Sequence, residues 1–155
     1  MLKIIPSVKE KKILNGFLNS NSVFYDDLNC DDRVLKALKL LPFDKNGAKL
    51  TVEISGDSGE AYEISVREND IGIKAEGPAG AFYAVQTLRQ LFKNGKIPCI
   101  DIKDAPDFAI RGFYHDITRG RVPTVKKLKE LIDKMAYFKL NHLQQYIFDI
   151  NMPFL

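Results

Sequence analysis

Net charge, cysteine, histidine and long apolar runs are all scarce in this chain. Its 155 residues carry a formal charge of only +3, and the lysines are dispersed. A nucleic-acid binder concentrates basic side chains on one face, and no RNA- or DNA-reading motif is present, so nucleic acid is not an expected partner. Cys30 and Cys99 are the two cysteines. They are far apart and too few to hold a metal, so both are read as buried or half-buried thiols. His115 and His142 lack metal-ligand spacing. No metal and no cofactor are expected. The opening M-L-K-I-I-P-S has no long apolar run, which argues against a signal peptide and a membrane span. The cytoplasm is the default location; a chain trimmed of its signal reads the same. No internal repeat and no low-complexity tract occurs.

What is present suits one core, or one core plus a fragment. Hydrophobic residues make up 45% and charged residues 28%, which is ordinary for a globular domain. Lys3–Pro6 and Ile13–Phe17 are short extended segments, and Ser22–Leu28 is a strand end with a turn. Asp31 or Asp32 caps a helix over Arg33–Leu41, which Pro42 ends. Ala48–Ser55 and Ala61–Arg67 alternate apolar and polar, and Ile71–Ala75 follows a short turn. These three are expected as an antiparallel meander with one buried face. Pro78 opens the best helix, whose stripe is Phe82, Val85, Leu88, Leu91 and Phe92. Ile97–Ile102 is a last strand. Residues 1–105 therefore form an expected α+β domain, an antiparallel sheet with two helices on one face.

Phe108–Asp149 is different in kind. Ala109–His115 is rich in β-branched and aromatic residues and predicts a strand. Asp116–Val122 predicts a loop. Pro123 and Thr124 open a helix whose apolar face is Val125, Leu128, Leu131, Ile132, Met135 and Phe138. Asn141 marks a stop before a second strand, Leu143–Phe148. A strand-helix-strand unit implies two parallel strands. Parallel strands need both faces covered, and two of them alone do not meet that need.

Three stretches together resemble glycoside hydrolase family 20, the β-N-acetylhexosaminidases. Ala75–Phe92 resembles the helix that ends the family's small N-terminal domain, with its G-x-x-G-x-x-x-A-x-x-T-L-x-Q-L pattern. Ile97–Arg119 is similar to the acidic, proline-containing link that leads into the catalytic barrel, followed by R-G-x-x-x-D-x-x-R. Lys127–Leu143 is similar to the first barrel helix and the K-x-N turn after it. The resemblance implies an accessory domain over 1–105 and, over 106–155, the truncated start of a (β/α)8 barrel, which needs about 250 residues.

It also implies a chemistry. In this family the substrate's own acetamido oxygen attacks the anomeric carbon. An adjacent Asp-Glu pair on a later strand orients that group and acts as general acid and base. The chain has no such pair, so no catalytic residue is assigned. The resemblance makes Arg111 the substrate-binding residue of the intact enzyme, a forked donor for two sugar hydroxyls; the alternative is a salt bridge with Asp116 or a neighbouring acid. Asp116 and Arg119 match the pattern and are expected to brace the loop. His115 matches no catalytic position. Many members read H-x-H-x-x-D-D on the second strand, where this chain has Gln144, Tyr146, Asp149 and Ile150; Asp149 is a weak binding candidate. The expected function is that of an N-terminal piece of a hexosaminidase acting on N-acetylhexosamine-containing glycans, inactive alone. The alternatives are a free-standing carbohydrate-binding or protein-interaction module, which would associate with itself or a partner through the unfinished barrel, and an O-GlcNAc-hydrolase type of enzyme.

Overall fold

The computed structural model describes residues 3–26, 28, 30–117 and 122–146. The chain divides into two compact units, Met1–Asp107 and Phe108–Leu155.

In the first unit the elements are β1 (Glu10–Phe17), β2 (Val23–Phe24), α1 (Asp32–Leu38), β3 (Ala48–Ile54), β4 (Tyr62–Val66), β5 (Asp70–Ala75), α2 (Pro78–Lys93) and β6 (Pro98–Asp104). The strands form one sheet in the order β1-β6-β4-β5-β3-β2. Alternation places Leu50, Ile64, Ile71, Ile73, Ile100 and Ile102 on one face, each at most 2% exposed. Burying each such side chain contributes about 1.5–3 kcal/mol. Ala81, Ala84, Val85, Leu88 and Leu91 of α2 close that core, with Val34, Ala37 and Leu38 of α1 joining it.

The α+β class holds, but the sheet is mixed, which corrects the expected antiparallel meander. β5 is inserted between β3 and β4, and β3 runs parallel to β5, as β2 does to β3. Only the β4–β5 half of the meander is a true hairpin. The link after β3 crosses the end of β5: Ser55 N donates to Ala75 O at 2.9 Å and Glu76 N donates to Ala61 O at 3.0 Å. Alternation settles which face a side chain takes, and is silent on which strand lies beside it.

α2 starts against this crossing. A Cβ on Gly77 would lie 2.5 Å from the Ser58 carbonyl carbon, and one on Gly80 would lie 2.5 Å from Ala61 O. The two glycines of the G-x-x-G pattern are thus packing requirements. Farther along, Gln90 Oε1 accepts from Ile5 N at 2.8 Å and its Nε2 donates to Ile5 O at 2.7 Å. Asn94 Nδ2 donates to Lys3 O at 2.9 Å. Residues 3–5 therefore lie extended along α2 without joining the sheet. α1 is capped by Asp31, as expected, and stops at Leu38. The expected last turn tightens to i+3 bonds, Leu40 N to Ala37 O and Leu41 N to Leu38 O, because Pro42 disfavours helical geometry at the residue before it.

In the second unit, β7 (Gly112–Asp116), α3 (Val125–Tyr137) and β8 (His142–Tyr146) follow in order. β7 and β8 pair in parallel, from Gly112↔His142 to Asp116↔Tyr146. Thr124 caps α3, its hydroxyl accepting from Lys127 N. Lys139 takes φ 61° at the end of the helix, and Leu140 N reaches back to Met135 O at 2.9 Å, a common helix-ending geometry. Among the described residues, no helix is long and apolar enough to cross a membrane.

Candidate functional site

Of the site residues expected from sequence, Arg111 and Asp116 are described, and they lie at the two ends of β7. At the N-terminal end, Asn141 is the hub. Its Nδ2 donates to Ala109 O at 2.8 Å, and its Oδ1 accepts from Arg111 N at 2.9 Å. Asn141 N and His142 N both donate to Arg111 O, at 2.9 and 3.2 Å. The Arg111 guanidinium donates from Nε to Lys139 O at 2.9 Å and from Nη1 to Phe108 O at 2.7 Å. Arg111 thus ties the segment before β7 to the turn after α3. Sequence reasoning took Asn141 for a helix stop and missed this hub; an Asn in the K-x-N turn was the signal available.

At the C-terminal end, Asp116 closes β7 opposite Tyr146, and Ile117 N donates to Tyr146 O at 3.1 Å. Five residue steps of extended chain lead from Arg111 to Asp116, about 16 Å at strand rise. The two are not brought together, which removes the Arg111–Asp116 salt bridge considered above. His115 packs beside Phe113, ring centroids 5.9 Å apart, and its Nδ1 is buried with no hydrogen-bond partner among the described residues. Arg119 and Asp149 lie outside the described residues.

The first unit carries its polar chemistry elsewhere. Tyr62 donates its hydroxyl hydrogen to Asp104 Oδ2 at 2.7 Å and shares a second bond, also 2.7 Å, with Thr87 Oγ1. Burial, with the Asp104 charge beside it, pushes the phenol pKa far up, so Tyr62 is a neutral hydrogen-bonding post. A cleft of about 430 Å³ opens beside it, lined by Glu53, Glu63, Lys74 and Lys103. Its charges answer one another: Lys103 pairs with Glu63 at 2.7 Å and Lys74 with Glu53 at 3.2 Å. That is a solvated cross-strand ladder. No group of three or more metal-ligating side chains occurs among the described residues.

Comparison with known proteins places this architecture. The family profile for glycosyl hydrolase family 20, domain 2, matches residues 2–105. The chain belongs to glycoside hydrolase family 20. Among family 20 relatives, a beta-hexosaminidase B of Pseudoalteromonas piscicida is 33% identical over 102 residues, 64% of this chain and 13% of that protein. An N,N'-diacetylchitobiase of Vibrio harveyi is 38% identical over 92 residues, 57% of this chain and 10% of its own length. A solved family 20 β-N-acetylglucosaminidase superposes with a TM-score of 0.74 at 28% identity, covering 94% of this chain and 31% of that one. A β-N-acetylhexosaminidase of Bacteroides fragilis, at 22% identity and TM-score 0.76, shares the fold. The chain spans less than a third of the length of each of these family 20 proteins.

Proposed function

We propose that this chain is the accessory domain and the first strand-helix-strand of the catalytic barrel of a β-N-acetylhexosaminidase. In this reading it works within a longer polypeptide and is inactive alone. The observation that carries the reading is the parallel pair β7–β8, with Phe113, Tyr114 and Tyr146 exposed on it and Phe108 and Ile110 at 74% and 71% exposure just before it. Parallel strands are stable when both faces are covered, and an eight-stranded barrel supplies that cover.

The substrate would be a glycan ending in N-acetylhexosamine, cleaved with help from its own acetamido group. The acid-base pair belongs to other strands, since no Asp-Glu dipeptide occurs in this sequence. Barrels build their sites at the C-terminal ends of strands. At that end of β7 stand Asp116 and Ile117, and this is the end of the strand we assign to the sugar side. Arg111 stands at the other end with two donors committed to backbone carbonyls. That placement supports bracing of the barrel floor in preference to a grip on hydroxyls.

The test is an assay of the 155-residue chain on an aryl N-acetylglucosaminide. No turnover above buffer is expected, and steady turnover would overturn the reading. A titration with N-acetylglucosamine separates the module alternative: no saturable binding is expected below about 1 mM.

A further inference from the structure

We propose that Asn94-Gly95 is a self-modifying site, where conversion of Asn94 to aspartate or isoaspartate releases residues 3–5 from α2. These residues form a strap held by two carboxamides. Gln90 takes both the N–H and the C=O of Ile5, at 2.8 and 2.7 Å, and Asn94 Nδ2 donates to Lys3 O at 2.9 Å. Four residues apart, Gln90 and Asn94 share one face of the helix. Between the two rungs Ile4 turns inward, at 6% exposure, while Lys3 and Ile5 stay exposed.

Asn94 is followed by glycine, whose backbone nitrogen can attack the side-chain carbonyl carbon before it because no Cβ blocks the approach. Gly95 N bonds to Asn94 Cγ, the Cγ–Nδ2 bond breaks, and ammonia leaves with the amide proton. Water then opens the five-membered imide at either carbonyl, giving aspartate or isoaspartate. Three Asn-Gly pairs occur in the chain, at Asn15, Asn46 and Asn94, and the fold separates them. Gly47 N donates to Asp44 O at 2.9 Å, and a Cβ on Gly47 would lie 2.7 Å from the Val23 carbonyl carbon, so that pair is wedged in its turn. Asn15-Gly16 lies within β1, which is paired with β6 on both sides of it, at Ile13↔Ile100 and Phe17↔Pro98. Gly95 stands clear: a Cβ there would meet nothing within 4 Å. Its N–H reaches Phe92 O at 3.4 Å, longer than an ordinary hydrogen bond, so the nucleophile is weakly held. What restrains Asn94 is its own bond to Lys3 O. Cyclisation therefore proceeds in local openings that lift the strap. The product carboxylate has no hydrogen to give Lys3 O, and it sets negative charge at the C-terminal end of α2, where the helix dipole disfavours it. The release is one-way.

Incubating the whole chain at mildly alkaline pH, with peptide mapping by mass, tests this; loss of ammonia and gain of water mark each converted site. Asn94 is expected to convert several-fold faster than Asn15 or Asn46. Gln90→Ala, which loosens the strap, should speed conversion at Asn94 and leave Asn46 unchanged. Asn94→Asp supplies one product directly: hydrogen exchange at Ile5 N should run about tenfold faster than in wild type, with exchange at Leu88 N in the middle of α2 unchanged. Conversion at Asn15 or Asn46 ahead of Asn94 overturns the site. An unchanged rate at Asn94 in Gln90→Ala overturns the restraint by the strap, and unchanged Ile5 exchange in Asn94→Asp overturns the release.

Discussion

Tyr62 links three elements through one oxygen: its own strand β4, Thr87 on α2 and Asp104 on β6. Thr87 is fully buried. Replacing Tyr62 by Phe keeps the ring and removes both bonds, Asp104 retaining its bond from Lys9 N, so we expect a loss of about 1–3 kcal/mol, read as a lower urea midpoint with unchanged slope. Asp31 shows a charge acting at the surface. Its carboxylate accepts from Arg33 Nε at 2.8 Å and Nη2 at 2.9 Å, and from Arg33 N at 2.8 Å. These bonds hold its pKa at about 2, below the ordinary 3.8. A depressed carboxylate pKa adds stability at higher pH that is lost as pH falls through the folded value. Asn caps helices equally well and does not titrate. The advantage of wild type over Asp31→Asn should therefore be present at neutral pH and fade as pH falls from 3.8 towards about 2, a small effect for an exposed pair. The Asp31 cap was legible in the sequence because capping is local. The use of Arg111 was not. A motif finds the arginine, but only the fold shows that it precedes β7 and points its donors at Lys139 and Phe108.

At the scale of elements, α2 is set by what passes beneath its first turn. An Ala in place of a helical Gly ordinarily stabilises by about 1 kcal/mol. At Gly80 the sign should reverse, because the added Cβ meets the Ala61 carbonyl oxygen at 2.5 Å. We expect Gly80→Ala to destabilise by about 1–3 kcal/mol, the usual range for overpacking, in chemical denaturation. In the second unit, the Asn141 side chain ties the segment before β7 to the turn before β8. Asn141→Ala removes the acceptor of the Arg111 amide and the donor to Ala109 O. Hydrogen exchange at Arg111 N should speed by about tenfold, corresponding to a bond of roughly 1.4 kcal/mol. Strand existence and face were legible here, because alternation and burial share a period of two. Strand order was not. β3 and β5 are separated in sequence by all of β4, and nothing in either strand names the other as its parallel neighbour.

At the scale of the molecule, the two units differ in what they bury. The first holds a continuous core running from Ile4 to Ile102. In the second, Met135 and the stem of Lys139 are the buried side chains among the described residues, while Phe108, Ile110, Val125 and Ile132 are at least half exposed. Hydrophobic burial is the dominant favourable term in folding, so the two units should part in their stability. A chain ending at Asp107 should unfold in a single cooperative urea transition, since all the strands of the six-stranded sheet and both of its helices remain. The full chain should bind an apolar dye such as ANS, and the shorter chain should bind it at least several-fold less, because the exposed apolar side chains of 108–155 are gone. Equal dye binding by the two would place the exposed apolar surface on the first unit and remove the support for reading β7, α3 and β8 as the open start of a barrel.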